Sequence, residues 1–353
     1  MDGATTPLSR SERKRRFRAT QNASSTAQDT PAASGTRKLK KSAFLPLHAD
    51  ETVPPTSRRC VVEYDGTLFH GFQAQENGGA MRTVQETIED AVARTTGERV
   101  RVRGCSRTDK GVHARGQVVV FESRCASGDR TFRDALNTRL PEDVVCRSLR
   151  ALPSSPSLTA SAEDVGSFDP RANAVGKIYE YVIVTGPVRP VLDRHRVWFM
   201  KKPLDTQRMR QAMAHLTAAP VEKDYSAFTP PKSSQQNRDT CKGNVCRLHQ
   251  VELVEEPLRP LEEDEEEKVQ QDEERQHDTG VRIRIRFHGD RFLYKMVRNL
   301  VGTLVDVGLG RIQPDELAHL FETRDRSKAG QGAPPQGLTL VRVLYKTDHE
   351  KET

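Results

Sequence analysis

The sequence predicts an α+β fold of two similarly built halves, and three observations carry that reading. Apolar residues alternate along several short runs and recur at four-residue spacing in others, so strands and helices interleave. The run 281–287 alternates apolar and basic residues strictly, which marks a half-buried strand with an arginine row on its open face. A stretch rich in Pro, Ser and Ala at 153–162 divides the strand–helix series into two parts.

Residues 1–56 read as a disordered basic tail. They are rich in Ser, Thr, Ala, Arg and Lys, lack sustained apolar periodicity and end at Pro54-Pro55. Two basic clusters, 13–18 and 37–41, fit an organelle transit peptide, a nuclear localisation signal or a nonspecific RNA-binding arm. Asp2 and Glu12 count against the first, and a plain solvated extension fits as well. The expected location is intracellular, in the nucleus or an organelle (mitochondrion or plastid).

The first ordered half, 57–160, opens with a strand at 60–64 that Asp65-Gly66 ends. Thr83-Val84-Gln85-Glu86 has capping-box form and starts a helix whose stripe is Val84, Ile88 and Val92. Strands follow at 101–104 and 117–121, then a helix at 132–140 and a strand near 144–146. The second half, 161–347, reads as strands at 178–184 and 196–200, a helix at 205–216, and a hairpin of 247–254 with 281–287. Between those hairpin arms, 255–280 reads as an acidic, disordered insertion. A helix at 290–307, another begun by Pro314 at N1, and a closing strand at 338–345 complete the series.

Composition narrows the function classes. With 35% hydrophobic and 30% charged residues among 353, the chain can build a modest core under a wide polar surface. No apolar run approaches the ~20 residues of a membrane-spanning helix. The formal charge of +7 hides an uneven distribution: 255–275 carries a local −8, which leaves +15 for the rest. A positive body suits a polyanion, because each neutralised phosphate releases a counterion. The six cysteines include no CxxC pair. Cys241, Cys246 and His249 offer three ligands where a closed zinc site wants four, so idle reduced thiols are expected and no metal.

Gly104-Cys105-Ser106-Arg107-Thr108-Asp109-Lys110-Gly111-Val112-His113-Ala114 lies between two predicted strands, in a loop held by rigid elements. By itself Asp-Lys-Gly is also an ordinary turn, and Arg107 with Asp109 a simple surface ion pair. The wider sequence decides between these readings. The stretch resembles the R-T-D-x-G-V-H-A signature of pseudouridine synthases of the TruA family. Five further blocks resemble that family in its own order. They are Tyr64-Asp65-Gly66-Thr67 with Gly71, Gln73 and Gln75; Phe168-Asp169-Pro170-Arg171-Ala172 followed by Lys177-Ile178-Tyr179-Glu180-Tyr181; and Asp224-Tyr225-Ser226-Ala227-Phe228. Phe292-Leu293-Tyr294-Lys295-Met296-Val297-Arg298-Asn299 and Ala333-Pro334-Pro335 with Gly337-Leu338 complete the set.

That resemblance implies a pseudouridine synthase fold with a largely antiparallel sheet and a central basic cleft, acting on tRNA or other structured RNA. It implies Asp109 as covalent nucleophile, Tyr179 stacking on an everted base and helping proton transfer, and Arg298 pairing with Asp109. Arg107 is expected to hold the displaced backbone or fill the vacated space, Leu338 to pack against the base, and Arg171 to bind substrate. The reaction releases nothing and needs no cofactor; the sequence accordingly offers no P-loop and no G-x-G-x-x-G. A homodimer and an anticodon stem-loop target are the family expectations. A noncatalytic RNA-binding or ribosome-assembly factor retaining the fold is the competing reading. Lys110, where bacterial members usually carry a small residue, Asp169-Pro170 and the acidic insertion depart from the bacterial pattern.

Overall fold

The computed structural model describes residues 47–75, 81–152, 168–238, 240, 242–258 and 280–346. In the first half, β1 (Thr56–Tyr64) buries Arg58, Cys60, Val62 and Tyr64 in strict alternation. Helix α1 (Val84–Thr96) is capped as its sequence dictates. The Thr83 side chain accepts from the Glu86 amide, and Gly97 ends the helix at φ 81°. Val84, Ile88 and Val92 are fully buried. Then come β2 (Arg103–Gly104), β3 (His113–Ser123), α2 (Asp129–Asn137) and β4 (Val144–Ala151). The α2 helix starts three residues before the expected 132, with Gly128 as N-cap.

The second half holds β5 (Ala174–Thr185), β6 (Trp198–Met200), α3 (Thr206–Thr217), β7 (Glu222–Asp224) and α4 (Pro231–Arg238). After them come β8 (Val245–Pro257), β9 (Val281–Gly289), α5 (Met296–Gly308), α6 (Glu316–Thr323) and β10 (Leu338–Tyr345). The expected hairpin of β8 with β9 is present and antiparallel, with Val251 opposite Phe287. Both halves share one sheet in the order β4-β1-β3-β10-β5-β9-β8-β7, with β2 beside β3 and β6 beside β5. The last strand is therefore central. It runs parallel to β3, with Thr339 opposite His113 and Leu340 opposite Ala114, and antiparallel to β5. Joining the halves this way brings the loop before β3 and the segment before β10 to the same end of the sheet.

Four expectations need correction. The tail assignment ran to residue 56, yet 47–55 lies against the domain, with the Ala49 amide bonded to the Thr96 carbonyl and Leu47 on the core. Residues 1–46 lie outside the described residues. The insertion was placed at 255–280, but Glu255 to Pro257 belong to β8, because Glu255 pairs with Arg210 at 3.1 Å and Glu256 pairs with Arg284. The remainder, 259–279, lies outside the described residues, as does 153–162. The helix expected from 290 begins at Met296, since Asp290 accepts from the Arg247 and Arg291 amides and Lys295 takes a left-handed φ of 59°. Pro314 sits in a turn rather than at N1; α6 has Asp315 as its N-cap.

The arginine row on β9 exists, and each member is matched to an acid. Arg282 meets Asp193 at 2.6 Å, Arg284 meets Glu256, and Arg286 meets the buried Glu180 at 3.1 Å. Its charge is spent within the fold.

Candidate active site

The Asp109 loop is fixed from several directions before any partner arrives. The Thr108 carbonyl accepts from the Phe72 amide at 3.0 Å, and the Thr108 hydroxyl meets the Tyr64 hydroxyl at 2.7 Å. Gln117 on β3 clamps Ser106, accepting from its amide at 3.1 Å and donating to its carbonyl at 2.7 Å. Gly111 takes φ +78°, which an L side chain rarely adopts, and lets the chain turn into β3. His113 then ties the loop end outward: its Nδ1 accepts from the Gly66 amide at 3.0 Å, and its Nε2 lies 3.1 Å from the Gln336 carbonyl. Burial is the largest influence on His113 and lowers its pKa, against the opposing charge of Asp65.

Arg298 comes from the first turn of α5. One guanidinium nitrogen donates to Asp109 Oδ2 at 2.9 Å, and Nε donates to the Ala333 carbonyl at 2.8 Å. Both side chains are 16% exposed, so the pair is mostly withdrawn from water yet reachable. The Ala333 segment can come this close because α5 carries Gly302. A Cβ there would stand 1.6 Å from the Gln331 carbonyl oxygen.

Asp109 and Arg298 line a pocket of about 520 Å³ with Thr67, Lys110, Gly111, Arg194, His195, Tyr294, Lys295, Pro335 and Gln336. Lys110, Arg194 and Lys295 thus share the pocket with the Asp109–Arg298 pair. Among the described residues no group bonds Asp109 Oδ1, which leaves that oxygen's lone pairs for covalent work. Lys110 Nζ lies 3.2 Å from His70 Nε2, which braces an exposed ammonium beside Asp109.

The other expected residues distribute differently. Tyr179 on β5 is 8% exposed, and its ring meets Phe292 edge-on with centroids 5.0 Å apart. Burial raises its phenol pKa above the ordinary value, the Ser106 hydroxyl pulls the other way, and the Asp109 charge adds a smaller upward push. Tyr179 is not among the residues lining the pocket. Leu338 is buried at the start of β10, opposite Tyr181. Arg107 and Arg171 are exposed and do not line the pocket. Arg107 has no partner among the described residues, and Arg171 sits in a turn where Asp169 accepts its backbone amide at 2.8 Å.

Sequence reasoning missed several contributors. Tyr181, which the sequence placed only as the end of a block, donates from its hydroxyl to the Pro334 carbonyl at 2.7 Å and so pins the segment that supplies Pro335 and Gln336. The block Ala333-Pro334-Pro335 was visible, but nothing in it said that its carbonyls would serve Arg298 and Tyr181. His113 stood inside the most informative stretch without a role. Arg194 and His195 come from 186–195, to which the sequence assigned neither an element nor a motif.

Comparison with known proteins places the chain among relatives of one family. A family model described as tRNA pseudouridine synthase matches residues 60–155 and 222–346. A tRNA pseudouridine synthase A of Acetivibrio thermocellus is 37% identical over 288 residues, covering 81% of this chain and 98% of its own. One of Geobacter sulfurreducens is 35% identical, covering 81% of this chain and 98% of its own. One of Citrifermentans bemidjiense is 34% identical, covering 82% and 97%.

Proposed function

This chain belongs to the tRNA pseudouridine synthase family, and from that premise we propose that it isomerises uridine to pseudouridine in tRNA with Asp109 as the covalent nucleophile. The carrying observation is the Asp109–Arg298 contact of 2.9 Å in a pocket that Lys110, Arg194 and Lys295 also line. A target uridine within a stem or loop is unreachable until it is everted. Lys110, Arg194 and Lys295 then suit the phosphates on either side of it. Asp109 bonds to C1′ or to the base as the N1–C1′ bond breaks, the base turns, C5 bonds to C1′, and the bond to Asp109 breaks to return the free carboxylate. The proton on C5 leaves and N1 ends protonated, so the reaction balances without a co-reactant.

Arg298 holds the carboxylate in place and leaves Oδ1 open. Attack at the sugar or at the base needs that same open oxygen. Tyr179, buried on β5 against Phe292, suits proton transfer at the everted base. Leu338 packs under it, while the exposed Arg107 suits the gap left in the stack. Arg171 contacts the RNA farther along. The anticodon stem-loop is the target region that the family resemblance favours, and a homodimer the assembly. The basic clusters of the tail support a nuclear or organellar address.

The test is transcript-wide mapping of pseudouridine in tRNA from cells with and without the protein, repeated with Asp109→Ala. Sites that vanish in both the deletion and the variant, with tRNA binding kept, are the expected result. A variant that modifies at the normal rate removes Asp109 from the reaction.

A further inference from the structure

Immediately before α5 the chain makes a tight turn, in which the Met296 amide bonds to the Leu293 carbonyl at 3.1 Å. Two residues of this turn sit in an unusual state. Tyr294 lines the pocket mouth with half of its surface in water (51%), although its backbone is held fast: its carbonyl accepts from the Thr229 hydroxyl at 2.9 Å. Lys295 adopts φ +59°, a conformation that costs a non-glycine residue energy and persists only where its surroundings enforce it. Its ammonium lies 5.1 Å from the centre of the Tyr294 ring. Lys295 also lines a second, smaller cavity, of about 370 Å³, with Arg298, Asn299 and Arg326.

An exposed aromatic face on an anchored backbone, with a cation beside it and lining the same pocket as Asp109, is the arrangement that single-stranded nucleic acid binds. The occupant is RNA because the lining is cationic around it. The base concerned is a neighbour of the target, because the target's own site is at Asp109, which is 16% exposed against 51% for Tyr294. Resting on the activity proposed above, we infer that Tyr294 is a stacking platform for an unpaired base flanking the everted uridine, and that Lys295 holds the phosphate between the two nucleotides. The strained backbone of Lys295 is the cost of aiming the two side chains at one place. This turn then sets which neighbouring base is favoured, and purines, with the larger face, are favoured over pyrimidines.

The experiment uses the full chain and tRNA purified from cells lacking it, together with the same tRNA made abasic at the flanking position. Stacking is worth ~1–3 kcal/mol per base, so Tyr294→Ala should weaken tRNA binding by roughly 5- to 150-fold at ~1.4 kcal/mol per decade. KM should rise with kcat nearly unchanged, and Tyr294→Trp should restore the loss. On the abasic tRNA, wild type and Tyr294→Ala should bind alike. Lys295→Gly relieves the backbone, so it should melt no lower than wild type while its salt slope falls by about one charge. Unchanged binding by Tyr294→Ala overturns the inference, as does an equal loss on abasic tRNA. So does a change in sedimentation with RNA affinity intact, which would assign the surface to a second copy of the chain. If the wild-type protein forms no pseudouridine, the activity proposal fails, and the binding comparison still decides the platform.

Discussion

Replacing Arg298 tests whether the Asp109 contact is an energetic unit or an incidental pairing. The two side chains are each 16% exposed and 2.9 Å apart. Breaking a fully buried pair costs ~3–5 kcal/mol, whereas an exposed pair contributes ~0–1 kcal/mol. At this burial the cost lies nearer the first limit, so Arg298→Met should destabilise the fold by roughly 2–4 kcal/mol. Asp109→Asn removes the charge with little change in shape. The double variant should then recover part of the loss, giving a coupling of about 1.5–3 kcal/mol, the range for hydrogen bonds to charged groups. Arg298→Lys keeps the charge but loses the fork that reaches Ala333 and Asp109 together. Losing one such bond in the reacting geometry should slow single-turnover isomerisation by about 10- to 100-fold. Chemical denaturation of the four proteins measures the coupling, and tritium release from C5-labelled uridine measures the rate. A coupling below about 0.5 kcal/mol, the additivity limit for independent sites, together with a full rate in Arg298→Lys, would refute the reasoning.

Two other substitutions probe the frame around the pair. Gly302→Ala puts a methyl group 1.6 Å from a backbone oxygen that cannot rotate away. It should lower stability by about 1–3 kcal/mol or more and loosen Arg298; melting like the wild type would show that the close approach is unimportant. His113 has a folded pKa below its unfolded value near 6.5, because burial opposes the charge more than Asp65 supports it. Above that pH both states are neutral and the fold keeps the full benefit. As pH falls below it, the unfolded chain takes up the proton first and stability declines toward the lower folded pKa. His113→Gln should flatten that decline in denaturation curves recorded between pH 7 and 5, and an unaltered slope would assign the acid sensitivity elsewhere.

The sequence by itself determined the local elements and singled out the carboxylate proposed as nucleophile. Period-two burial in β1, the Thr83–Glu86 cap and the alternation along β9 are set by neighbours within a few residues, so they can be read without a structure. Asp109 was legible because six ordered blocks agree, although its own Asp-Lys-Gly turn says little. Boundaries shifted where a distant group intervened. The Asp290 carboxylate bonds the Arg247 amide and delays α5 to Met296, and Arg210 draws Glu255 into β8.

The tertiary structure decided everything that spans the chain. Asp109 and Arg298 meet across 189 positions because β10 inserts between β3 and β5 and brings α5 and the 330–337 segment over the loop. No local pattern encodes a parallel strand pairing at the centre of a sheet, since its hydrogen bonds involve backbone atoms that every residue shares. The support that Tyr181 gives to Pro334, the left-handed Lys295 and the exposure of Tyr294 arise in the same way. Residue type fixes which chemistry is available, and only packing between remote segments fixes which groups share a pocket.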